Sequence, residues 1–347
     1  MEIEKKHDNR KIISIWLGIG CLFIFGIVVA GGITRLTRSG LSITEWKPIS
    51  GILPPSGEEG WQLEFEKYKK TPEYQKINMG MTLSEFKYIF TWEFIHRLIG
   101  RLIGLIFTLP LFYFLLKKVI PPEHKYKYIS FAVLVGLQGA LGWIMVASGL
   151  NERPSVSHFR LAAHLSLAFF IFLFIFHHIL SLYFTVPIKS TRTSARLKIF
   201  VISLGIIISL QIIWGGFMAG LKAGSIYPTF PKMGDEWIPG LLFSRGSFFT
   251  DLVNDPASVQ FTHRVLGVFA CIGGFLLLVY GFISKIDIPL KKSILGFFLL
   301  LVIQFALGVF TLIYHMPRSL AILHQANALL VLTSLVYIYQ KIIRRSP

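Results

Sequence analysis

Hydrophobic and polar positions in this chain do not alternate at the spacing of surface helices or strands; they come in long blocks. Eight apolar runs lie near 13–34, 88–116, 127–147, 158–186, 198–220, 258–283, 293–314 and 318–340, and the polar residues collect between them. About 20 helical residues cross about 30 Å of hydrocarbon. Backbone in hydrocarbon must satisfy its own amides, which a helix does within one segment. The pattern therefore predicts an all-α membrane protein with eight transmembrane helices. The first run is too long for a removable signal peptide, and no small-residue cleavage site follows it, so it reads as a retained helix. Segments 35–87 and 221–257 are rich in Gly, Pro and Trp, as in Trp46-Lys47-Pro48 and Ile52-Leu53-Pro54-Pro55. They are expected to lie outside the membrane as ordered loops with short helices.

Composition agrees. Of 347 residues, 53% are hydrophobic, 15% are charged and 31 are phenylalanine, and the mean hydropathy is +0.62. This excludes a disordered chain and an ordinary soluble enzyme. Two cysteines exclude a disulfide scaffold and a four-cysteine zinc site. The net charge of +17 invites a nucleic-acid reading, but the location of the charge argues against one. Lys5, Lys6, Arg10 and Lys11 precede the first run. Lys117, Lys118, Lys125 and Lys127 fill the second connection, Lys189, Arg192, Arg196 and Lys198 the fourth, and Lys285, Lys291 and Lys292 the sixth. Lys341, Arg344 and Arg345 end the chain, whereas the short third and seventh connections hold little beyond Arg153 and Arg318. Alternation of this kind sets topology. Both termini are expected to be cytoplasmic, with the basic residues contacting anionic membrane lipid and no nucleic-acid partner.

The second half repeats the first over four runs. Phe94-Ile95-His96-Arg97-Leu98-Ile99-Gly100 matches Phe261-Thr262-His263-Arg264-Val265-Leu266-Gly267. Gln138-Gly139-Ala140-Leu141-Gly142 matches Gln304-Phe305-Ala306-Leu307-Gly308. Leu161-Ala162-Ala163-His164 resembles Leu320-Ala321-Ile322-Leu323-His324, and Gly31-Gly32 matches Gly215-Gly216. A repeat with an even number of helices keeps its topology, so two duplicated four-helix bundles are expected, 1–187 and 188–347, related by a pseudo-two-fold axis along the membrane normal.

Four of the ten histidines, His96, His164, His263 and His324, fall in the repeated motifs. Each is read as six or seven residues past the outer start of its helix, about 10 Å below the surface. A lone histidine in such a helix is equally well a packed core residue. Four in duplicated motifs point to function, because intramembrane ionisable groups are costly. Zinc needs further ligands per site, whereas two facing imidazoles in an apolar bundle suit haem iron. His177 lies 13 residues beyond His164, but Leu109, Pro110, Leu276 and Leu277 stand where a partner is needed. His177 and His178 are therefore read as structural, and His7, His124, His158 and His315 receive no role.

The halves differ at one informative position: Glu93 lies three residues before His96, and Gln260 three before His263. The i, i+3 spacing places Glu93 on the face of His96. It is a candidate to move protons or stabilise positive charge during chemistry in the first half, the alternative being an N-terminal helix charge. Arg97 and Arg264 are candidates for haem propionates, or for snorkelling to the interface. Arg35, Arg38 and Lys222 are further propionate candidates. Gln138 and Gln304 either bond across helices or face a haem edge.

Taken together, Gly31-Gly32-Ile33-Thr34-Arg35-Leu36-Thr37-Arg38-Ser39-Gly40-Leu41-Ser42, Glu93-Phe94-Ile95-His96-Arg97, Gly142-Trp143-Ile144-Met145-Val146-Ala147-Ser148-Gly149-Leu150, Arg160-Leu161-Ala162-Ala163-His164 and Leu323-His324-Gln325 resemble the haem A synthase family, from about residue 15 to 335. The resemblance implies oxygen-dependent oxidation of the C8 methyl of haem O to a formyl group, by two hydroxylations and loss of water. It implies a haem b cofactor at His263 and His324, substrate haem at His96 and His164, and a catalytic role for Glu93 and His96. It also implies haem O synthase and cytochrome oxidase assembly factors as partners, an electron donor and homo-oligomers; the acidic Met1-Glu2-Ile3-Glu4 start, unlike a transit peptide, separately favours a bacterial cytoplasmic (inner) membrane location. Some members carry a cysteine pair in the first outer loop; here Cys21 and Cys271 fall inside apolar runs, so no thiol role for that loop is expected. The alternatives are a non-enzymatic di-haem cytochrome transferring electrons and a haem carrier. A symmetric electron conduit has no need of a glutamate in one half only.

Overall fold

A computed structural model of the chain describes residues 2–47, 50–150, 154–184 and 195–344, with side chains from Asn9 onward. The described part is helical, without strands beyond an isolated Met233–Glu236 bridge. In chain order the helices are α1 (Glu2–Leu36), α2 (Gly57–Lys69), α3 (Pro72–Lys76), α4 (Leu83–Leu116), α5 (Lys125–Leu150), α6 (His158–Tyr183), α7 (Ala195–Gly220), α8 (Phe248–Asn254), α9 (Pro256–Ile283), α10 (Ile288–Ile313) and α11 (Arg318–Ile343). Eight of them, α1, α4, α5, α6, α7, α9, α10 and α11, are long and apolar enough to cross a membrane, and the chain is a multi-pass membrane protein. Their outward faces carry large exposed apolar side chains, among them Leu22, Leu109, Phe112, Ile199 and Phe282. In water that would be a liability; in hydrocarbon it is the solvated surface.

The ends of these helices follow from local chemistry. Thr82 and Glu85 form a reciprocal cap on α4, the Glu85 carboxylate accepting from the Thr82 amide at 2.8 Å. Asp255 caps α9 by accepting from the Ser258 amide at 2.9 Å, with Pro256 at the first helical position. Asp287 caps α10 in the same way, through the Leu290 amide at 3.0 Å.

Two compact units divide the chain, Met1–Phe172 and Leu173–Pro347. In the first, Trp16 of α1 packs against Phe107 and Phe114 of α4 and Tyr128 of α5, and its indole N–H donates to the Ile106 carbonyl at 2.6 Å. The outer end of α4 joins α2 in an aromatic cluster of Phe65, Tyr68, Phe86, Ile89 and Phe90. Tyr68 donates to Glu73 and accepts from Asn78 there, and burial, with Glu73 beside it, pushes its phenol well above the usual range. In the second unit Leu277, Leu290, Ile294 and Phe297 are fully buried between α9 and α10. The later part of α6 belongs to this unit, with His177 against Tyr339 and Phe184 against Tyr337.

The expected boundary at 187/188 lies outside the described residues, as do Pro48, Arg153, Lys189, Arg192 and Arg345 and the side chains of Lys5, Lys6 and His7. One expectation is corrected. His164, His263 and His324 do stand six or seven residues into α6, α9 and α11, but α4 begins at Leu83, so His96 lies thirteen residues in. The additional turns are those capped by Thr82 and packed on α2; their aromatic and polar residues lie ahead of the apolar run.

Candidate functional site

Each of the four histidines is half-buried and faces a glycine on a neighbouring helix. A methyl group built on Gly31 of α1 would stand 3.1 Å from Cε1 of His96 on α4. The matching distances are 2.8 Å from Gly142 of α5 to His164 on α6, 3.3 Å from Gly215 of α7 to His263 on α9, and 2.9 Å from Gly308 of α10 to His324 on α11. Real methyl carbons almost never sit under 3.0 Å from such an atom, so at Gly142 and Gly308 hydrogen is what admits the ring, while at Gly31 and Gly215 a methyl would be a tight contact. The glycines that mark the internal repeat are thus imidazole seats, a role their sequence did not disclose.

His96 and His164 stand in the first unit, and His263 and His324 in the second.

Glutamines contact three of the rings. The Gln138 amide nitrogen lies 3.1 Å from Nδ1 of His164 and donates to the His164 carbonyl at 2.9 Å. Gln211 lies 3.3 Å from Nε2 of His263 and donates to its carbonyl at 3.2 Å. Gln304 lies 3.2 Å from Nδ1 of His324, and that Nδ1 is also 3.1 Å from the Gln304 carbonyl. Asn327 fixes Gln304 by donating to its side-chain oxygen at 2.9 Å and to the Leu300 carbonyl at 3.0 Å. Such bonds select the tautomer and orientation of a ligating imidazole. Nδ1 of His96 and Nδ1 of His263 are buried without a hydrogen-bond partner.

These observations fit iron porphyrin. Among the described residues no group of three or more His, Cys, Asp or Glu side chains comes together, which does not suit a bare zinc ion. Pairs of imidazoles among Phe, Leu and Ile, with ring nitrogens in hand, suit an iron that takes one or two axial ligands.

Glu93 is 2% exposed and fully engaged. Its Oε2 accepts from the Ser42 hydroxyl at 2.6 Å and the Ile43 amide at 2.8 Å, and its Oε1 accepts from Nη2 and Nε of Arg97 at 2.6 and 3.1 Å. Arg97 also donates to the Ile43 and Glu45 carbonyls, and Arg101, one turn on, donates to the Lys47 carbonyl. Two arginines a turn apart thus hold the loop after α1 onto α4 through alternate carbonyls, those of Ile43, Glu45 and Lys47.

The second unit solves the same problem with different chemistry. Gln260, 0% exposed, donates to the Tyr227 carbonyl at 2.9 Å. Arg264 donates to the Tyr227, Thr229 and Lys232 carbonyls at 2.9, 2.8 and 3.1 Å, and its Nε is buried without a partner. The glutamate of the first unit and the glutamine of the second thus differ in what they grip: an amide and a hydroxyl on one side, a carbonyl on the other. The guanidinium groups expected at haem propionates are largely committed to loop backbone.

Sequence reading also passed over Gln211. Four residues before Gly215 stands Gln211; four before Gly31 stands Ile27. The two occupy equivalent places, since a methyl on Gly267 would meet Gln211 Nε2 at 3.1 Å and one on Gly100 would meet Ile27 Cδ1 at 3.5 Å. The signal was a mismatch inside an aligned repeat, which a search for identities does not register.

Comparison with known proteins places this arrangement in a family. Heme A synthase of Rickettsia felis is 42% identical over 335 residues, covering 95% of this chain and 98% of that protein. Heme A synthase of Rickettsia canadensis is likewise 42% identical over 335 residues, with the same coverage. Heme A synthase of Nitrosospira multiformis is 41% identical over 347 residues, covering 99% of this chain and 96% of that protein. The model of the COX15-CtaA family, described as cytochrome oxidase assembly protein, matches residues 14–336. The chain belongs to the COX15-CtaA family.

Proposed function

We propose that this protein is a haem A synthase, an integral membrane enzyme that oxidises a methyl group of haem O to the formyl group of haem A. The observation that carries the reading is likeness to proteins of that name over nearly the whole chain, on a structure that seats two imidazoles against glycines in each of its two units. Conversion of methyl to formyl is written as two hydroxylations at C8 followed by loss of water, with oxygen as oxidant and an external electron donor.

His96 and His164 hold the substrate haem, and His263 and His324 hold a haem b. When bound, that haem b supplies a redox-active iron. Gln211, Gln304 and Asn327 orient its two imidazoles, and the buried Nε of Arg264 is the N–H available to a propionate. Arg97 holds the loop and reaches a propionate of the substrate only by releasing a carbonyl. In the first unit the Glu93 carboxyl group lies one turn from His96. Its 2.6 Å bond to the Ser42 hydroxyl is the place where a proton can pass to or from Oε2.

The 1–187 and 188–347 bundles, the axis relating them, the inner-membrane location and the cytoplasmic termini belong to the same proposal. So do haem O synthase and oxidase assembly factors as partners, and a homo-oligomer. The test is the haem content, by mass, of cells supplied with haem O with and without this protein. Haem A is expected only with it; haem O persisting unchanged in its presence, at full expression, overturns the reading.

A further inference from the structure

The two units carry their outer loops differently. In the first, α4 runs 34 residues, and α2 packs on its opening turns. In the second, α7 is 26 and α9 28 residues long. At about 1.5 Å per residue these helices measure about 39 and 42 Å, close to the thickness of a bilayer with its headgroups, about 40–45 Å. Neither has turns to spare beyond the membrane, and residues 237–254 pack against the flanks of both. Six residues before the end of α7, the indole N–H of Trp214 donates to the Leu252 carbonyl at 3.2 Å. In the first turn of α9 the Ser258 hydroxyl accepts from the Phe243 amide at 3.0 Å, and the Phe243 ring meets that of Phe261, centroids 6.4 Å apart. Trp214 and Phe261 lie about 8–9 Å inside the helix ends, at the edge of the hydrocarbon.

What this segment turns outward is apolar. Leu241, Phe248 and Phe249 are 72, 54 and 78% exposed, and Trp237 and Ile238 are exposed beside them in sequence. The rings of Phe243, Phe248 and Phe249 follow one another at centroid distances of 4.9 and 5.5 Å. Residues 237–255 hold three ionisable side chains, Arg245, Asp251 and Asp255. Both aspartates are buried: Asp251 accepts from the Arg245 and Gly246 amides at 2.9 and 3.0 Å, and Asp255 caps α9. Arg245 alone reaches outward, on a stem long enough to bring its guanidinium to the headgroups while its backbone lies deeper.

We infer that residues 237–254 lie in the interface of the adjoining leaflet, with Leu241, Phe248 and Phe249 turned into the edge of the hydrocarbon, rather than in the water where the sequence puts 221–257. An aromatic face, with polar groups turned inward to protein or up to the headgroups, is how interfacial segments bind lipid. A cluster of large exposed apolar side chains in water marks a docking site for protein. Here the occupant is lipid, because the segment is fixed to two membrane helices at the depth of the interface. The lipid-facing surface of α9 begins only two turns below Phe261, at Val268 and Phe269. This holds whatever binds between the histidines.

The test uses the full chain in nanodiscs of phosphatidylcholine and phosphatidylglycerol, one chain to a disc. Cys21→Ala and Cys271→Ala clear the background, and single cysteines carry a nitroxide. Phe249→Cys is compared with Glu58→Cys on α2 and Leu109→Cys on α4, both exposed, as references for water and for lipid. Power saturation reads collisions with a water-soluble nickel chelate and with oxygen, which concentrates in hydrocarbon. The Phe249 label is expected to lose nickel collisions and gain oxygen collisions relative to Glu58, approaching Leu109. Nickel access equal to that at Glu58 would overturn the proposal, and so would shelter from both reagents, which marks a protein contact. A second measurement needs no variant and decides the matter should the labelled chains fail to accumulate. Phospholipid bearing a diazirine near the glycerol end of its acyl chain, photolysed in discs holding the unaltered chain, is expected to label peptides covering 237–254. Labelling of the membrane helices with none in those peptides would overturn the proposal.

Discussion

Replacing Glu93 by Gln removes one charge and almost no volume, so its effect isolates the clamp between α4 and the first outer loop. The carboxylate accepts four hydrogen bonds, two from the loop and two from Arg97. An amide has one acceptor oxygen. Aimed at Ser42 and Ile43, it turns its NH2 against the Arg97 donors; flipped, it sets NH2 against the Ile43 amide. Two bonds to a charged group are lost either way, each about 1.5–3 kcal/mol. Arg97, whose side chain is 17% exposed, is left without its counter-ion, a loss of about 3–5 kcal/mol for a buried pair. These are two measures of one interaction and are not summed. The bonds Arg97 retains to the Ile43 and Glu45 carbonyls set the expected cost near the lower end, about 3 kcal/mol, which is roughly a hundredfold in the opening equilibrium of residues 39–47. Hydrogen exchange of peptides covering that segment in detergent is the assay. Exchange accelerated about a hundredfold, with α9 and α11 unaffected and conversion of haem O lost, is the expected result. Exchange within threefold of the parent protein would refute the clamp, and full conversion would remove Glu93 from the chemistry.

Four further outcomes follow from the same geometry. Gly142→Ala and Gly308→Ala place a methyl 2.8 and 2.9 Å from an imidazole carbon, against 3.3 Å for Gly215→Ala, so haem content should fall steeply in the first two and mildly in the third. His263→Ala or His324→Ala should remove haem b, while His96→Ala or His164→Ala should chiefly reduce retention of haem O; haem extraction and mass measurement distinguish them, and identical losses from all four would dissolve the division. Asn327→Leu frees the Gln304 amide and should weaken haem retention in the second unit about tenfold, measured by competition with apomyoglobin. Outside the membrane helices, Glu45 is held below its ordinary 4.5 by hydrogen bonds to Lys47 and then Lys67. A depressed carboxylate contributes above its unfolded value and loses that contribution as pH falls through the folded one, so protease protection of the first loop should be flat at neutral pH and decline only below about 4.5.

The helices were legible because their signal is length and composition, which no tertiary contact can override in hydrocarbon. All eight apolar runs became helices whose C-terminal ends fall within three residues of the expected limits, while α1 begins well before its apolar run, at Glu2, and α4 and α10 begin five residues early. The imidazoles were legible for a related reason, since an ionisable group placed at membrane depth in two copies needs a purpose. What escaped notice depended on contacts between segments far apart in sequence. Nothing near Ser42 or Ile43 announces Glu93, fifty residues on. The Glu93–Arg97 pair itself, at i, i+4, was available from helix spacing alone, but each residue had been given a partner on the haem first.

The broken repeat repays closer reading than the intact one. Duplication gives both units the same seats, His against Gly, and the same task of fastening a long outer loop to a membrane helix. Selection for stability alone would have no reason to answer these differently twice. Yet the loop is fastened by carboxylate and arginine in one unit and by amide and arginine in the other, and Gln211, which meets the ring of His263, has Ile27 at the equivalent place in the first unit. Both differences fall around the same pair of histidines, His96 and His263. The first unit sets a carboxyl held by Arg97 beside a ring that meets no glutamine; the second sets a neutral amide beside a ring whose Nε2 meets Gln211. Under the proposed reading, with one substrate haem and one resident haem, the units are expected to differ, and the differences fall at one histidine of each.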